Sequence, residues 1–574
     1  MSSSDSSDDE NLPLEPFSAE SIKDSYTIIH HGNPSLTLSK FAKAAKKPKW
    51  PEDLWTNENI IYDVHNKGVC LPPVDPNASP PDNVLRFESH FESGNLSQAI
   101  LLSPDTYHCI CEYDHNASGS CQWFYFQIKN VRRIVKYTFF ISGFHKKSSL
   151  YSSGSSIFWY SEQRARRENI SWTRGGTNYS YQVTQRTKAK KKRASLHFQM
   201  KFPYDDDIIY FCYALPYTYS TLLRSISNWE SHFPDLISHE ILCQTVGGRD
   251  CPILTIYSKR SSTPPDKRPV FFVTARIHPG ESNSSYLLHG LIDFLLSDTQ
   301  YAHYILETCT VKIVPMLNID GVMEGFYRIS LSGNDLNRMW NSPDLVLHPE
   351  IYATKKLMTN LQETQGITFY IDFHGHSRLH GTFAYGCPNQ DDPELRNTEK
   401  IFPRILAFLS DIFSWEHCVY SYPKERQSAG RIVARTELGI VNSFTVEASF
   451  GGVTSGPRAG FLYDETLWKE LGSKAGEAVF HCLTKDNSPL AKYVIKELEF
   501  ISPQPERPKM EEDVVCKFNE EEDNNNIGQK PRVGQIGLYH IRQPTMMLNI
   551  EPEALSTQSK EITSPHWIQM QYVL

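Results

Sequence analysis

Short apolar runs separated by polar, turn-rich segments mark the first half of the chain. Trp123–Ile128, Ile134–Ile141 and Ile208–Tyr213 are aromatic and β-branched, a pattern that predicts strands of an all-β, sandwich-like domain with its core between about Leu85 and Tyr219. From about Asp250 the period changes. Strands are predicted at Val270–Ala275, Val311–Pro315, Ile367–Phe373 and Asn442–Glu447, and helices at Ser285–Ser297, Glu350–Glu363, Glu399–Phe413 and Glu465–Leu483. Strands alternating with helices imply an α/β fold: a mixed, mostly parallel sheet covered by helices. Ligands of such sheets lie beyond the C-terminal strand ends, so chemistry is expected just past Ala275, Phe373 and Val446.

The flanks are polar. Residues 1–24 are rich in Ser, Asp and Glu, and the stretch beyond Asn487 carries an acidic run at 520–526; neither has the apolar mass to offset the entropy of ordering. The expected organisation is therefore a disordered start (1–24), a β-sandwich-like domain (25–225), an α/β domain (226–486) and a polar, largely disordered tail (487–574). Net charge refines the choice of partners. With 58 Lys and Arg against 66 Asp and Glu, the chain of 574 residues carries −8, which disfavours a nucleic-acid partner. One connection opposes that average: Arg186-Thr-Lys-Ala-Lys-Lys-Lys-Arg193 is strongly basic. The beginning of the chain lacks signal-peptide features, no apolar run approaches the ~20 residues that cross a bilayer, and the 12 cysteines follow no zinc-ribbon spacing. Reduced thiols in the cytoplasm, without membrane insertion, are the expectation.

The first strand end carries His278-Pro-Gly-Glu281. An imidazole nitrogen and a carboxylate three residues apart suit zinc, which needs one more protein ligand to leave an open catalytic position. The second supplies two candidates, His374 and His376, of which His374 comes straight off the strand; Asp372 lies on the same side and suits an acceptor that orients an imidazole. The third ends in Glu447. A carboxylate at the end of an apolar strand is costly unless paired, so it is read either as a general base beside an activated water or as a buried ion pair with Arg276, Arg431 or Arg435. Between these ends, one loop concentrates Arg328, Asn337 and Arg338; the guanidinium forks of its two arginines suit an anionic substrate.

In order along the chain, Arg276-Ile-His-Pro-Gly-Glu-Ser-Asn-Ser-Ser285, Lys312-Ile-Val-Pro-Met-Leu-Asn318, Tyr327-Arg-Ile-Ser-Leu-Ser-Gly-Asn-Asp-Leu-Asn-Arg338, Asp372-Phe-His-Gly-His-Ser377 and Phe444-Thr-Val-Glu-Ala-Ser-Phe450 resemble the metallocarboxypeptidases. Within them they resemble the cytosolic carboxypeptidase branch, which removes glutamates from protein C-termini. Phe91-Glu-Ser-Gly-Asn95 and Leu215-Pro-Tyr-Thr-Tyr219 are similar to that branch's N-terminal β-domain. The resemblance implies one Zn2+ in the catalytic domain, held by His278, Glu281 and His374, with Glu447 as general base and Arg328 polarising the scissile carbonyl. It also implies that Asn337 and Arg338 hold the terminal carboxylate, and that Arg431 faces an acidic terminal side chain. Substrates would be glutamylated or acidic C-terminal tails, those of tubulin among them, placing the protein in the cytoplasm near microtubules, basal bodies, cilia or flagella. The basic run 186–193 suits attraction of such tails.

Two departures stand out. Asn318-Ile-Asp-Gly321 lacks the proline usual in this family, and a mobile tyrosine is matched only by Tyr422, which is left outside the catalytic set. An aspartoacylase-type zinc amidohydrolase and a catalytically inactive microtubule-binding protein are the alternatives. The β-domain and the Thr-Val-Glu-Ala-Ser segment argue against the first, and the filled ligand and base positions against the second.

Overall fold

The computed structural model describes residues 59–66, 84–115, 120–185, 192–389, 392 and 394–500. The acidic start 1–24, residues 186–191 of the basic run, and the tail from 501 onward with its acidic run lie outside the described residues.

Among the described residues two sheets form the N-terminal part, one of six strands and one of five. The first includes Tyr137–Phe144 and Lys192–Met200, the second Tyr125–Lys129 and Ile209–Cys212. Their shared interior is aromatic. Phe139 of the first sheet meets Phe211 of the second edge to face at 5.1 Å, and Phe126 packs on Phe211 at 5.8 Å, the offset geometry that ring quadrupoles favour. The strand expected from Ile134 begins only at Tyr137. Ile134 sits in the preceding turn, closed by Val135 N–H to the Arg132 carbonyl at 3.1 Å, and its side chain is exposed; apolar character alone overextended the strand.

The C-terminal part is the expected mixed α/β fold. Its eight strands run in the spatial order Ile237–Gln244, Asp250–Ile256, Thr310–Val314, Val270–Ala275, Ile367–His376, Ser443–Ser449, Phe383–Gly386 and Val419–Tyr420. The four central strands from Thr310–Val314 to Ser443–Ser449 are mutually parallel. Strand Ile367–His376 continues beyond the expected end at Phe373, because its ladder with Ser443–Ser449 carries on through His374, Gly375 and His376. Polar side chains ended the apolar run three residues before the backbone pairing stops.

Helices Ser282–Leu295 and Glu465–Leu483 pack directly on one another. Glycines make this possible: a Cβ at Gly290 would lie 1.9 Å from the Lys469 carbonyl oxygen, and one at Gly472 would lie 1.8 Å from that of Leu287. The contact fixes the helix that starts one residue after Glu281. Two boundaries differ from expectation. Helix Tyr219–His232, capped by the Thr218 side chain and burying Leu222, Ile226 and Trp229, runs straight through the boundary placed at 225. A helix, Pro489–Phe500, lies beyond the limit placed at 486; Leu490, Val494 and Leu498 recur every fourth residue and are buried, a stripe that the polar average of the tail conceals.

Candidate active site

The turn after strand Val270–Ala275 is forced. Arg276 adopts φ 58°, a left-handed conformation that costs a non-glycine residue roughly 1–2 kcal/mol, and its guanidinium is buried against the Pro279 and Tyr217 carbonyls and Ser285 Oγ at 2.7 to 2.9 Å. Those bonds hold the sharp reversal that points His278 and Glu281 at each other. They also remove Arg276 as an ion-pair partner of Glu447. Asn283, two residues into the next stretch, donates to the Ala448 carbonyl at 2.7 Å and ties this turn to the strand carrying Glu447.

His278, Glu281 and His374 are buried, and one donor atom from each lies within 4.8 Å of the others. His278 Nδ1 is 2.8 Å from Glu281 Oε1, and His374 Nδ1 is 3.1 Å from Glu281 Oε2. The opposite nitrogens are taken: His278 Nε2 faces Asp335 Oδ1 at 3.1 Å and His374 Nε2 faces Asp372 Oδ2 at 2.7 Å. A carboxylate on Nε2 fixes the proton there and turns the Nδ1 lone pair inward, the arrangement that orients metal-binding imidazoles. His376 stays outside this group; its ring packs edge-on to Phe383 at 5.0 Å.

These groups are electrostatically coupled. Burial opposes ionisation of Glu281, but the His278 and His374 imidazoles override it and hold the carboxyl well below its usual range. Burial opposes ionisation of Asp335 too, and Arg328 and His278 hold it well down. Burial would lower His374, yet Asp372 and Glu281 pull it well above the usual imidazole value. Two imidazoles and a carboxylate, converging from a buried cluster rich in acids, fit zinc in both donor type and number.

Glu447 sits beside them. It is directly abreast of His374 in the parallel ladder and of Phe383 on the other side. Burial lifts its carboxyl to about 7, with the Glu281 charge adding to the shift and His374, Arg426 and His278 opposing it. A carboxyl poised there gains and loses a proton readily near neutral pH.

Arg328 reaches the same cluster from its loop. Its Nε and Nη2 donate to Asp335 Oδ2 at 2.9 and 2.7 Å, so one carboxylate orients both the imidazole of His278 and the guanidinium. The N-terminal sheets grip this loop. Asp114 accepts the N–H groups of Tyr327, Arg328 and Ile329, while Ser93 and Asn95 donate to the Val322 and Gly325 carbonyls at 2.7 and 2.9 Å. Upstream, Asn318 caps helix Ile319–Met323, and Asp320 is bound by Thr245, Gly247 and Arg249. These bonds hold the turn of Asn318-Ile-Asp-Gly321 in place.

Asn337 and Arg338 lie in the short turn Leu336–Arg338, capped by Asp335. Asn337 Oδ1 accepts from Gly430 N–H at 3.0 Å, which leaves its amide N–H groups as donors. Arg338 Nη1 donates to the Asn337 carbonyl at 3.0 Å. Arg431, next to Gly430, is buried; its Nη1 donates to Gly386 and Ser421 carbonyls at 3.1 and 3.5 Å, and the guanidinium lies 5.3 Å over the Tyr385 ring. Asn337 and Arg431 are thus linked through one backbone step. Tyr422 is exposed and its hydroxyl donates to the Pro388 carbonyl.

Three polar residues packed around the site escaped the sequence reading: Asp335, Asp114 and Lys146, whose Nζ donates to the Tyr327 hydroxyl and Ser377 Oγ. Asp335 had a signal, standing two residues before Asn337 in the same turn. Asp114 and Lys146 had none, since their partners are more than a hundred residues away.

Comparison with known proteins bears on this geometry. A family model described as zinc carboxypeptidase matches residues 222–470, and one described as cytosolic carboxypeptidase N-terminal domain matches 87–213. Cytosolic carboxypeptidase 2 of Xenopus tropicalis is 37% identical over 438 residues, covering 75% of this chain and 45% of the relative. Human cytosolic carboxypeptidase 1 is 34% identical over 447 residues, covering 73% of this chain and 36% of the relative. The chain therefore spans under half the length of either. Among solved structures, a metallo-carboxypeptidase from Pseudomonas aeruginosa in complex with (2-guanidinoethylmercapto)succinic acid superposes with a TM-score of 0.56 at 23% identity, covering 71% of this chain and 100% of that one. One from Burkholderia cenocepacia superposes with 0.56 at 21%, covering 70% and 99%.

Proposed function

This chain belongs to the zinc carboxypeptidase family, in its cytosolic carboxypeptidase branch, and on that premise we propose that it is a zinc-dependent metallocarboxypeptidase removing C-terminal or side-chain-linked glutamates from proteins, glutamylated tubulin tails among them. The observation that supports the reading best is the convergence of His278, Glu281 and His374 with Glu447 abreast of His374 and Arg328 held by the same Asp335 that orients His278.

Zinc on the Nδ1 atoms of His278 and His374 and a carboxylate oxygen of Glu281 would supply Lewis acidity and make water a better nucleophile at neutral pH. Glu447 takes a proton from the attacking water as its oxygen adds to the scissile carbonyl carbon. Arg328 donates to the carbonyl oxygen as negative charge builds there. When the C–N bond breaks, Glu447 hands its proton to the leaving amine, so the water ends divided between a new terminal carboxyl and a free amino acid. Asn337 and Arg338 bind the substrate's terminal carboxylate, restricting the enzyme to chain ends. Arg431 pairs with the terminal side chain and selects glutamate over apolar residues. A cytoplasmic location near microtubules fits this substrate class.

The test is to incubate the protein and zinc with a peptide ending in several glutamates and follow free glutamate by mass spectrometry. Stepwise release supports the reading. Cleavage of N-acetyl-aspartate with the peptide left intact would replace it with amidohydrolase chemistry.

A further inference from the structure

Lys146 enters the catalytic region from the N-terminal sheets. It follows strand Tyr137–Phe144, and its carbonyl accepts from the Tyr181 hydroxyl at 2.5 Å, which fixes the backbone there. The side chain then crosses to the α/β part. Its Nζ donates to the Tyr327 hydroxyl and, at 2.5 Å, to Ser377 Oγ, and lies 4.7 Å over the Tyr327 ring. Tyr327 immediately precedes Arg328, and Ser377 is three residues past His374. The ammonium is thus bracketed by the loop that presents the oxyanion donor and the strand end that presents a metal-binding imidazole.

Its partners are the unusual feature. Both are neutral hydroxyls, and among the described residues no Asp or Glu oxygen pairs with it. A half-buried ammonium loses hydration that hydroxyls only partly replace, and a carboxylate is the ligand that repays the loss.

We propose that Lys146 is a specificity-determining residue that binds the side-chain carboxylate of the residue immediately before the scissile bond, an inference that rests on the carboxypeptidase reading above. The carbonyl held by Arg328 belongs to that penultimate residue, so its side chain leaves the backbone next to the Arg328 loop, on which Lys146 rests. Asn337, Arg338 and Arg431 deal with the last residue; Lys146 deals with the one before it. The N-terminal sheets become part of the specificity apparatus, and the preferred substrate is an acidic run instead of a lone terminal glutamate.

Two peptides that both end in glutamate and differ only in a penultimate Glu or Gln test this. The quantity read is the ratio of their kcat/KM values, in which partial inactivation of a protein sample cancels. The wild-type ratio should favour Glu about tenfold or more, the scale of one charge-assisted hydrogen bond. Lys146→Met should bring the ratio to about one, and Lys146→Arg should keep most of it. A wild type that does not distinguish the peptides, or a Lys146→Met protein that keeps the wild-type ratio, overturns the proposal; the first needs no variant to fold. Failure of the wild type to release glutamate from either peptide counts against the carboxypeptidase reading itself.

Discussion

The Asp114 carboxylate, in the loop after strand Thr106–Ile110 of the N-terminal part, accepts the backbone N–H of Arg328 at 2.8 Å. The same carboxylate takes the N–H groups of Tyr327 and Ile329 at 2.7 and 3.1 Å, so the loop that presents the Arg328 guanidinium, proposed to polarise the scissile carbonyl, is moulded by the N-terminal part of the molecule. Asp114→Ala would leave three inward N–H groups without their acceptor and let the loop drift. The expected result is a loss of about tenfold or more in kcat/KM, corresponding to ~1.4 kcal/mol or more. In an Arg328→Ala background the same change should cost little. A double-mutant cycle on kcat/KM makes the check; equal losses in both backgrounds would mean that Asp114 does not act through Arg328.

Asp335 bridges His278 and Arg328, and its replacement should weaken metal binding as well as turnover. Asp335→Asn keeps the shape but lacks the charge that secures the Nε2 proton of His278. Outer carboxylates of this kind are typically worth ~10–100-fold in metal affinity or activity. Competition with a chelator measures the affinity; unchanged zinc retention would show that the imidazole is oriented by other contacts.

Glu350 makes stability depend on pH. Burial, with some help from Asp320 and Cys243, raises its carboxyl to about 8 from an ordinary 4.5. The folded chain therefore keeps a proton that the unfolded chain has lost between those values. This stabilising contribution is complete below the unfolded value and disappears as pH rises through about 8. Its slope approaches ~1.4 kcal/mol per pH unit in that window. Thermal melts from pH 5 to 9 should show the decline, and Glu350→Gln should flatten it. An unchanged profile in the variant would assign the decline to other groups.

Arg431, next to the Gly430 that binds Asn337, is proposed to pair with the terminal side chain. Arg431→Met should cut kcat/KM for peptides ending in glutamate by about tenfold or more while sparing, or improving, peptides ending in leucine. Steady-state kinetics on the two series decide it, and equal losses in both would remove its role in selecting acidic ends.

Much of this site was legible because strand ends concentrate chemistry. His278, Glu281, His374 and Glu447 each stand where an apolar run stops, and the spacing from His278 to Glu281 already suggested a shared cation. Position relative to a distant partner was not legible. Asp335 acts on His278 from 57 residues away, and Asp114 precedes Arg328 by 214 residues; neither separation leaves a local period. The edge strand Ile237–Gln244 was missed because most of its residues are exposed, which erases the alternation that betrays a strand with one buried face. The helix Pro489–Phe500 was missed because composition was averaged over a polar tail.

In the proposed mechanism Glu447 moves the proton from the attacking water to the leaving amine. Its most direct test is the rate of free glutamate release by Glu447→Gln, measured with zinc content and melting temperature alongside. The variant should lose about a thousandfold, within the ~10²–10⁴ range of general acid–base catalysis, with zinc still bound and the fold intact. Release at the wild-type rate would contradict it.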